Sequence, residues 1–138
     1  NSFNHVFANP PFFDEGTVKK SPVELRSTAR TFGAEDLETW VKVMASMAVP
    51  RGTVTLVHRA DSLARILAAF TAAKIGGIHV APLFAREGYP ASRVVVQGIK
   101  TSKAPLQMLR GLVLHDDSNA FTPAAESILR DGVAYALR

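Results

Sequence analysis

The stretch that decides the fold is HVFANPPFFDEG, His5 to Gly16. A short apolar run, Phe3 to Ala8, stops there on Asn9-Pro10-Pro11-Phe12-Phe13. Proline has no N–H and fixes φ, so two in succession end a strand in the interior of a sheet. The expectation is a buried strand over Phe3–Ala8 followed by a loop. An ordinary turn does not need an amide, two prolines and two phenylalanines, so the set also raises a question of function.

Downstream, Asp14 to Phe32 has little periodicity and predicts a long loop with some helix near Val23–Thr28. Long loops beside the carboxyl end of a strand are often lids or binding loops. Leu37, Trp40, Val41, Met44, Met47 and Ala48 recur at helical spacing and predict an amphipathic helix over Glu35–Ala48, with Trp40 in the core and Pro50-Arg51-Gly52 as its stop. Thr53–His58 is β-branched and apolar and predicts a second buried strand. Ser62 is the expected N-cap of a helix over Leu63–Ala73, with Leu63, Ile66, Leu67 and Phe70 inward. After a break at Gly76-Gly77, strands are expected over Ile78–Phe84 and Ser92–Ile99, joined by a Gly/Pro turn. Gly111–His115 reads as a short extended piece and Asp116–Asn119 as a turn. Thr122 and Pro123 open a last helix, with Ile128 and Leu129 inward.

Strand, helix, strand, helix, strand implies a parallel sheet with covering helices, an α/β fold. The connection over Ala85–Ala91 is too short for a crossover of a dozen or more residues, so the strand that follows should run antiparallel to the one before it.

The chain has 138 residues, 47% hydrophobic and 20% charged, enough for one compact domain. No apolar run reaches ~18 residues, so no membrane span is expected. There are no cysteines, which excludes disulfides and thiolate metal sites and agrees with a cytoplasmic setting. The net charge is +4, and Arg86, Arg93, Lys100, Lys103 and Arg110 face a single nearby anion, Glu87. A basic edge of that kind suits phosphate, although the same residues also serve solubility.

Asn-Pro-Pro-aromatic at a strand end has a chemical logic. The lone pair of a planar amine, on a base or a side-chain amide, is delocalised into its ring or carbonyl. Two acceptors held against the N–H groups draw it out of conjugation, so that it can attack a methyl carbon. Asn9 offers a side-chain oxygen and Pro10 its carbonyl, while Pro11 stiffens the backbone and Phe12 offers a flat stacking face. These acceptors strengthen as positive charge develops on nitrogen, which favours the transition state.

With these residues the sequence resembles the Rossmann-like methyltransferases that use S-adenosylmethionine and act on amino nitrogens. Their sheet has seven strands, the seventh antiparallel between the fifth and sixth. On that template Phe3–Ala8 is strand four, Thr53–His58 five, Ile78–Phe84 six and Ser92–Ile99 seven. Within the superfamily the chain is similar to the small-domain branch that includes the bacterial adenine-N(6) enzyme for valine tRNA. The matches are Asn9–Phe13, Ala29-Arg30, Pro50-Arg51-Gly52, the PASRVVV stretch from Pro90 to Val96, and Leu112–Thr122 with its Leu-His and Phe-Thr pairs.

The resemblance implies catalytic roles for Asn9, Pro10, Pro11 and Phe12, substrate contacts from Phe13, Arg30 and His58, and a cofactor contact from Asn9. It implies S-adenosylmethionine as cofactor and RNA, above all tRNA, as partner, with no metal or membrane. Two departures stand out. The Gly-rich cofactor turn and the ribose-binding acid of the family have no counterpart, for no two glycines have Gly-x-Gly spacing. The chain is therefore expected to be the carboxyl-terminal half of a methyltransferase domain, strands four to seven, with the edge of strand four open. Phe12 also stands where many relatives carry Tyr, which keeps stacking and loses a hydroxyl.

Other acceptors fit the same motif: guanine-N(2) in ribosomal RNA, the glutamine amide of a protein, or no acceptor at all in a module that only binds RNA or a partner. The four histidines His5, His58, His79 and His115 have no metal-ligand spacing. No serine sits in a Ser-His-Asp context, and Arg93 reads as structural.

Overall fold

The computed structural model describes residues 2–10 and 37–132. Six strands form one sheet: β1 (Phe3–Ala8), β2 (Ala48–Arg59), β3 (Ile75–Arg86), β4 (Arg93–Lys100), β5 (Gln107–Met108) and β6 (Leu112–His115). Three helices accompany them: α1 (Leu37–Met47), α2 (Leu63–Ala72) and α3 (Pro123–Leu129). The strand order is β1-β2-β4-β3-β5, with β6 also on β3. β1 and β2 are parallel, and β4 lies antiparallel between β2 and β3. The late strand thus runs antiparallel to β3, as the short Ala85–Ala91 connection predicts, and enters the sheet between its two predecessors, as the seven-strand template predicts.

The sheet buries one face under α1 and α2. Val6, Val54, Leu56, Ile78, Val80, Val94 and Val96 meet Leu37, Val41, Met44, Ile66 and Phe70 in a single core. Burying each such side chain contributes roughly 1.5–3 kcal/mol. Gly98 of β4 is tightly enclosed: a Cβ there would stand 2.4 Å from Ile75 Cγ2, 3.2 Å from Gly76 O and 3.3 Å from Phe70 Cδ2.

Several expectations need correction. β1 is not a buried strand: Val6 is inward, but Phe3 and Phe7 are 53% and 65% exposed. Among the described residues β1 pairs only with β2, so one edge and one face are uncovered. The first helix ends at Met47, and Pro50-Arg51-Gly52 lies inside β2 rather than terminating the helix. The register jumps there, with Phe3 opposite Ala48 and His5 opposite Thr53, and Arg51 takes φ 70°. A bulge frees proline from donating to the ladder, which is why it is tolerated. Gly76-Gly77 likewise forms an irregularity within β3 and does not break it.

Ser62 makes no side-chain cap; it closes a 3-10 turn, Ala60–Ser62, that leads into α2. Trp40 is half-buried rather than fully core. In α3 the inward residue is Ala125, while Ile128 is half-buried and Leu129 is 60% exposed. Thr122 does cap α3, its Oγ1 accepting from Ala125 N at 3.2 Å. The extended piece near Leu112 is a sheet strand, parallel to β3.

Candidate active site

β1, β2, β3 and β6 are mutually parallel, so their carboxyl ends share one edge of the sheet, and antiparallel β4 begins there. In open α/β sheets this is the edge where ligands bind. Asn9-Pro10 follows β1, His58-Arg59 ends β2, Arg93 opens β4, Arg86 ends β3 and His115 ends β6.

Ala8 is the last residue of β1 in register, opposite Leu56, so continuing the register brings Asn9 and Pro10 level with Val57 and His58. Asn9 is exposed and Pro10 is buried. The backbone leaves the ladder at the proline because it has no N–H to donate. Of the residues singled out from sequence, Asn9, Pro10 and His58 therefore lie at the carboxyl ends of two adjacent strands. Pro11, Phe12, Phe13 and Arg30 lie outside the described residues.

His58 is 3% exposed and stands opposite Val94 of β4. Burial lowers its pKa from the ordinary 6.5, and the charges of Arg65, Arg59 and Arg93 push the same way against Asp61. The imidazole is thus held neutral near pH 7.

Arg59 and Arg93 face each other in register across β2 and β4. Like charges so placed repel unless countered. Arg59 Nη2 lies 2.6 Å from Asp61 Oδ2, and Arg93 Nη1 donates to Ser92 O at 3.0 Å. Sequence reasoning passed over Arg59, because a cross-strand pair is invisible until the register is known. The only local signal was Asp61, two residues on.

Behind this edge, Arg65 of α2 grips Glu38 of α1, with Nη2 3.2 and 3.0 Å from the two carboxylate oxygens. The pair ties together the first turns of two helices that flank the strand ends.

A groove of about 310 Å³ runs along Leu67, Lys74, Gly76, Gly77, Ser102 and Leu106. It sits at the amino end of β3, the opposite edge from Asn9, and takes no part in this site. Among the described residues no three His, Asp or Glu side chains group to hold a metal, and no helix is long and apolar enough to cross a membrane.

No family model matches the sequence. The chain is 23% identical over 130 residues to the tRNA1(Val) (adenine(37)-N6)-methyltransferase of Shewanella baltica (strain OS195), covering 94% of this chain and 54% of that protein. The crystal structure of a predicted O-methyltransferase from Agrobacterium tumefaciens superposes with a TM-score of 0.75 at 29% identity, over 97% of this chain and 54% of that one. A SAM complex of M1.HpyAVI is far more distant, with a TM-score of 0.47 at 10% identity over 98% of this chain and 61% of that one. The chain spans about half the length of the first two. The antiparallel strand set between its two predecessors, and the likeness over nearly all of these 138 residues, give this chain the fold of the Rossmann-like methyltransferases.

Proposed function

We propose that this chain forms the acceptor side of an enzyme that moves a methyl group from S-adenosylmethionine to the exocyclic amine of an RNA base, adenine in tRNA. The observation that carries the reading is the position of Asn9-Pro10: outside the carboxyl end of β1, beside the carboxyl end of β2, in a sheet whose late strand is inserted antiparallel. The likeness to a tRNA adenine-N6 methyltransferase supports the choice of acceptor.

When bound, S-adenosylmethionine supplies an electrophilic methyl group. The donor side of such a site takes a Gly-rich turn and a ribose-binding acid, and these 138 residues contain no Gly-x-Gly pair. What this chain offers the donor is the exposed Asn9 amide. Toward the acceptor, Asn9 Oδ1 and the Pro10 carbonyl accept from the two N–H groups of the amine. They would localise its lone pair toward the methyl carbon and stabilise the positive charge that develops on nitrogen as the sulfonium sulfur leaves, until one N–H proton passes to water. The family resemblance assigns base stacking to Phe12 and substrate contacts to Phe13, Arg30 and His58; of these only His58 lies among the described residues. A base in folded RNA must be extruded to reach this edge, at a cost of a few kcal/mol.

The test incubates the full-length protein with deuterium-labelled S-adenosylmethionine and unmodified tRNA, and reads labelled nucleosides by mass spectrometry. Labelled N(6)-methyladenosine is expected, with kcat reduced roughly 10²–10³-fold in Asn9→Ala, the scale for losing one oriented hydrogen-bonding group. No labelled nucleoside from any RNA overturns the reading. The likeness to a predicted O-methyltransferase motivates a second reading, a hydroxyl acceptor, which label on oxygen in place of nitrogen would establish.

A further inference from the structure

The Leu-His and Phe-Thr pairs in Leu112–Thr122 have no part in the chemistry above, yet the fold brings them together. Asp116 turns the chain back: its carboxylate accepts from Ser118 N at 2.8 Å, Ser118 Oγ at 2.6 Å and Ala120 N at 3.2 Å. Phe121 then pairs with His115 at the end of β6. Their rings stack, with centroids 4.9 Å apart and planes at 23°. Thr122 locks the arrangement, its N donating to Leu114 O at 2.9 Å and its Oγ1 to Val113 O at 2.5 Å. Phe121 nevertheless keeps 36% of its surface exposed, and His115 Nδ1 makes no hydrogen bond among the described residues.

This ring pair stands on the same edge as Asn9. His115 is opposite Arg86 at the end of β3. From Arg86 the chain enters the β3–β4 turn, where Tyr89 is 63% exposed. Ser92 N donates to Leu83 O at 3.0 Å, which returns the turn to the sheet beside Arg93. Read across the sheet, the edge runs Asn9, His58-Arg59, Arg93, Arg86, His115-Phe121. Four strand spacings separate its ends, ~19 Å.

An exposed ring costs hydration, and Phe121 and Tyr89 sit on the edge where Arg59, Arg93 and Arg86 also lie. We infer that the Phe121–His115 stack, with Tyr89 on the neighbouring β3–β4 turn, is a platform for an unpaired nucleobase a few nucleotides from the methylated one, with Arg86 and Arg93 placed along the edge between them for the connecting phosphates. The inference rests on the RNA reading above. Asp116 and Asp117 next to the platform disfavour a phosphate there, which assigns the rings to a base. Aromatic stacking tolerates any base, so the platform supplies grip and placement rather than sequence choice.

The test measures binding of a fluorescein-labelled single-stranded oligoribonucleotide to the full-length protein by anisotropy, alongside KM and kcat for tRNA. Phe121→Ala and Tyr89→Ala should each weaken binding roughly tenfold and raise KM with little change in kcat. Phe121→Tyr should restore it, and Asn9→Ala should differ from both alanine variants in losing kcat. Tyr89 is exposed enough that its loss does not threaten the fold. If wild type binds the oligonucleotide and both alanine variants bind it equally well, the platform is refuted and the RNA reading survives. If wild type binds no RNA, both fall.

Discussion

Arg65 and Glu38 form a forked ion pair across the first turns of α2 and α1, with guanidinium nitrogens 3.0–3.3 Å from the carboxylate. Burial pushes the Glu38 carboxyl up, but a backbone hydrogen bond and the bond and charge of Arg65 outweigh it and leave the pKa below its usual 4.5. Both side chains are two-fifths or more exposed, so water screens the pair. A double-mutant cycle with Glu38→Gln and Arg65→Met should give a coupling of about 0.5 kcal/mol by urea denaturation. Because the folded-state pKa is depressed, this stabilisation is present above the unfolded value and fades as pH falls through the folded one.

His58 gives a second pH signature. Its folded-state pKa lies below the ordinary 6.5. The unfolded chain therefore binds the proton more readily, and stability should drop as pH is lowered from 6.5 through the folded value. His58→Gln should flatten that part of the stability–pH curve. In an NMR titration the His58 ring should have a midpoint below 6.5, and a midpoint at or above 6.5 would contradict the buried, arginine-flanked setting.

Gly98→Ala tests how tightly β4 is wedged. Its new methyl would meet Ile75 Cγ2 and Phe70 Cδ2, neither of which is a free end of a flexible chain. Overpacking of this kind costs about 1–3 kcal/mol. The denaturation midpoint should fall with the urea m-value unchanged.

Thr122 caps α3 and also ties it to β6. Thr122→Val should lose about 1 kcal/mol locally, and Thr122→Ser should keep it. The readout is amide exchange at Ala125, which should quicken in the valine variant alone. Loss of the cap should also loosen the Phe121–His115 stack, since Thr122 adjoins Phe121.

The features legible in the sequence are those set by neighbours along the chain. Two prolines cannot donate, so β1 had to stop at Ala8 wherever it packed. Seven residues cannot cross over a sheet, so β4 had to reverse. Thr122-Pro123 opens a helix by purely local chemistry. Tertiary structure alone decided which distant residues face one another. Arg59 meets Arg93, Thr55 receives the Gln97 amide at 2.8 Å, and β6 finds β3 so that Phe121 can lie on His115. It also left Phe3 and Phe7 exposed on a strand whose apolar pattern reads as interior. Register and coverage depend on which elements pack together, and a strand's own pattern holds no record of its neighbours.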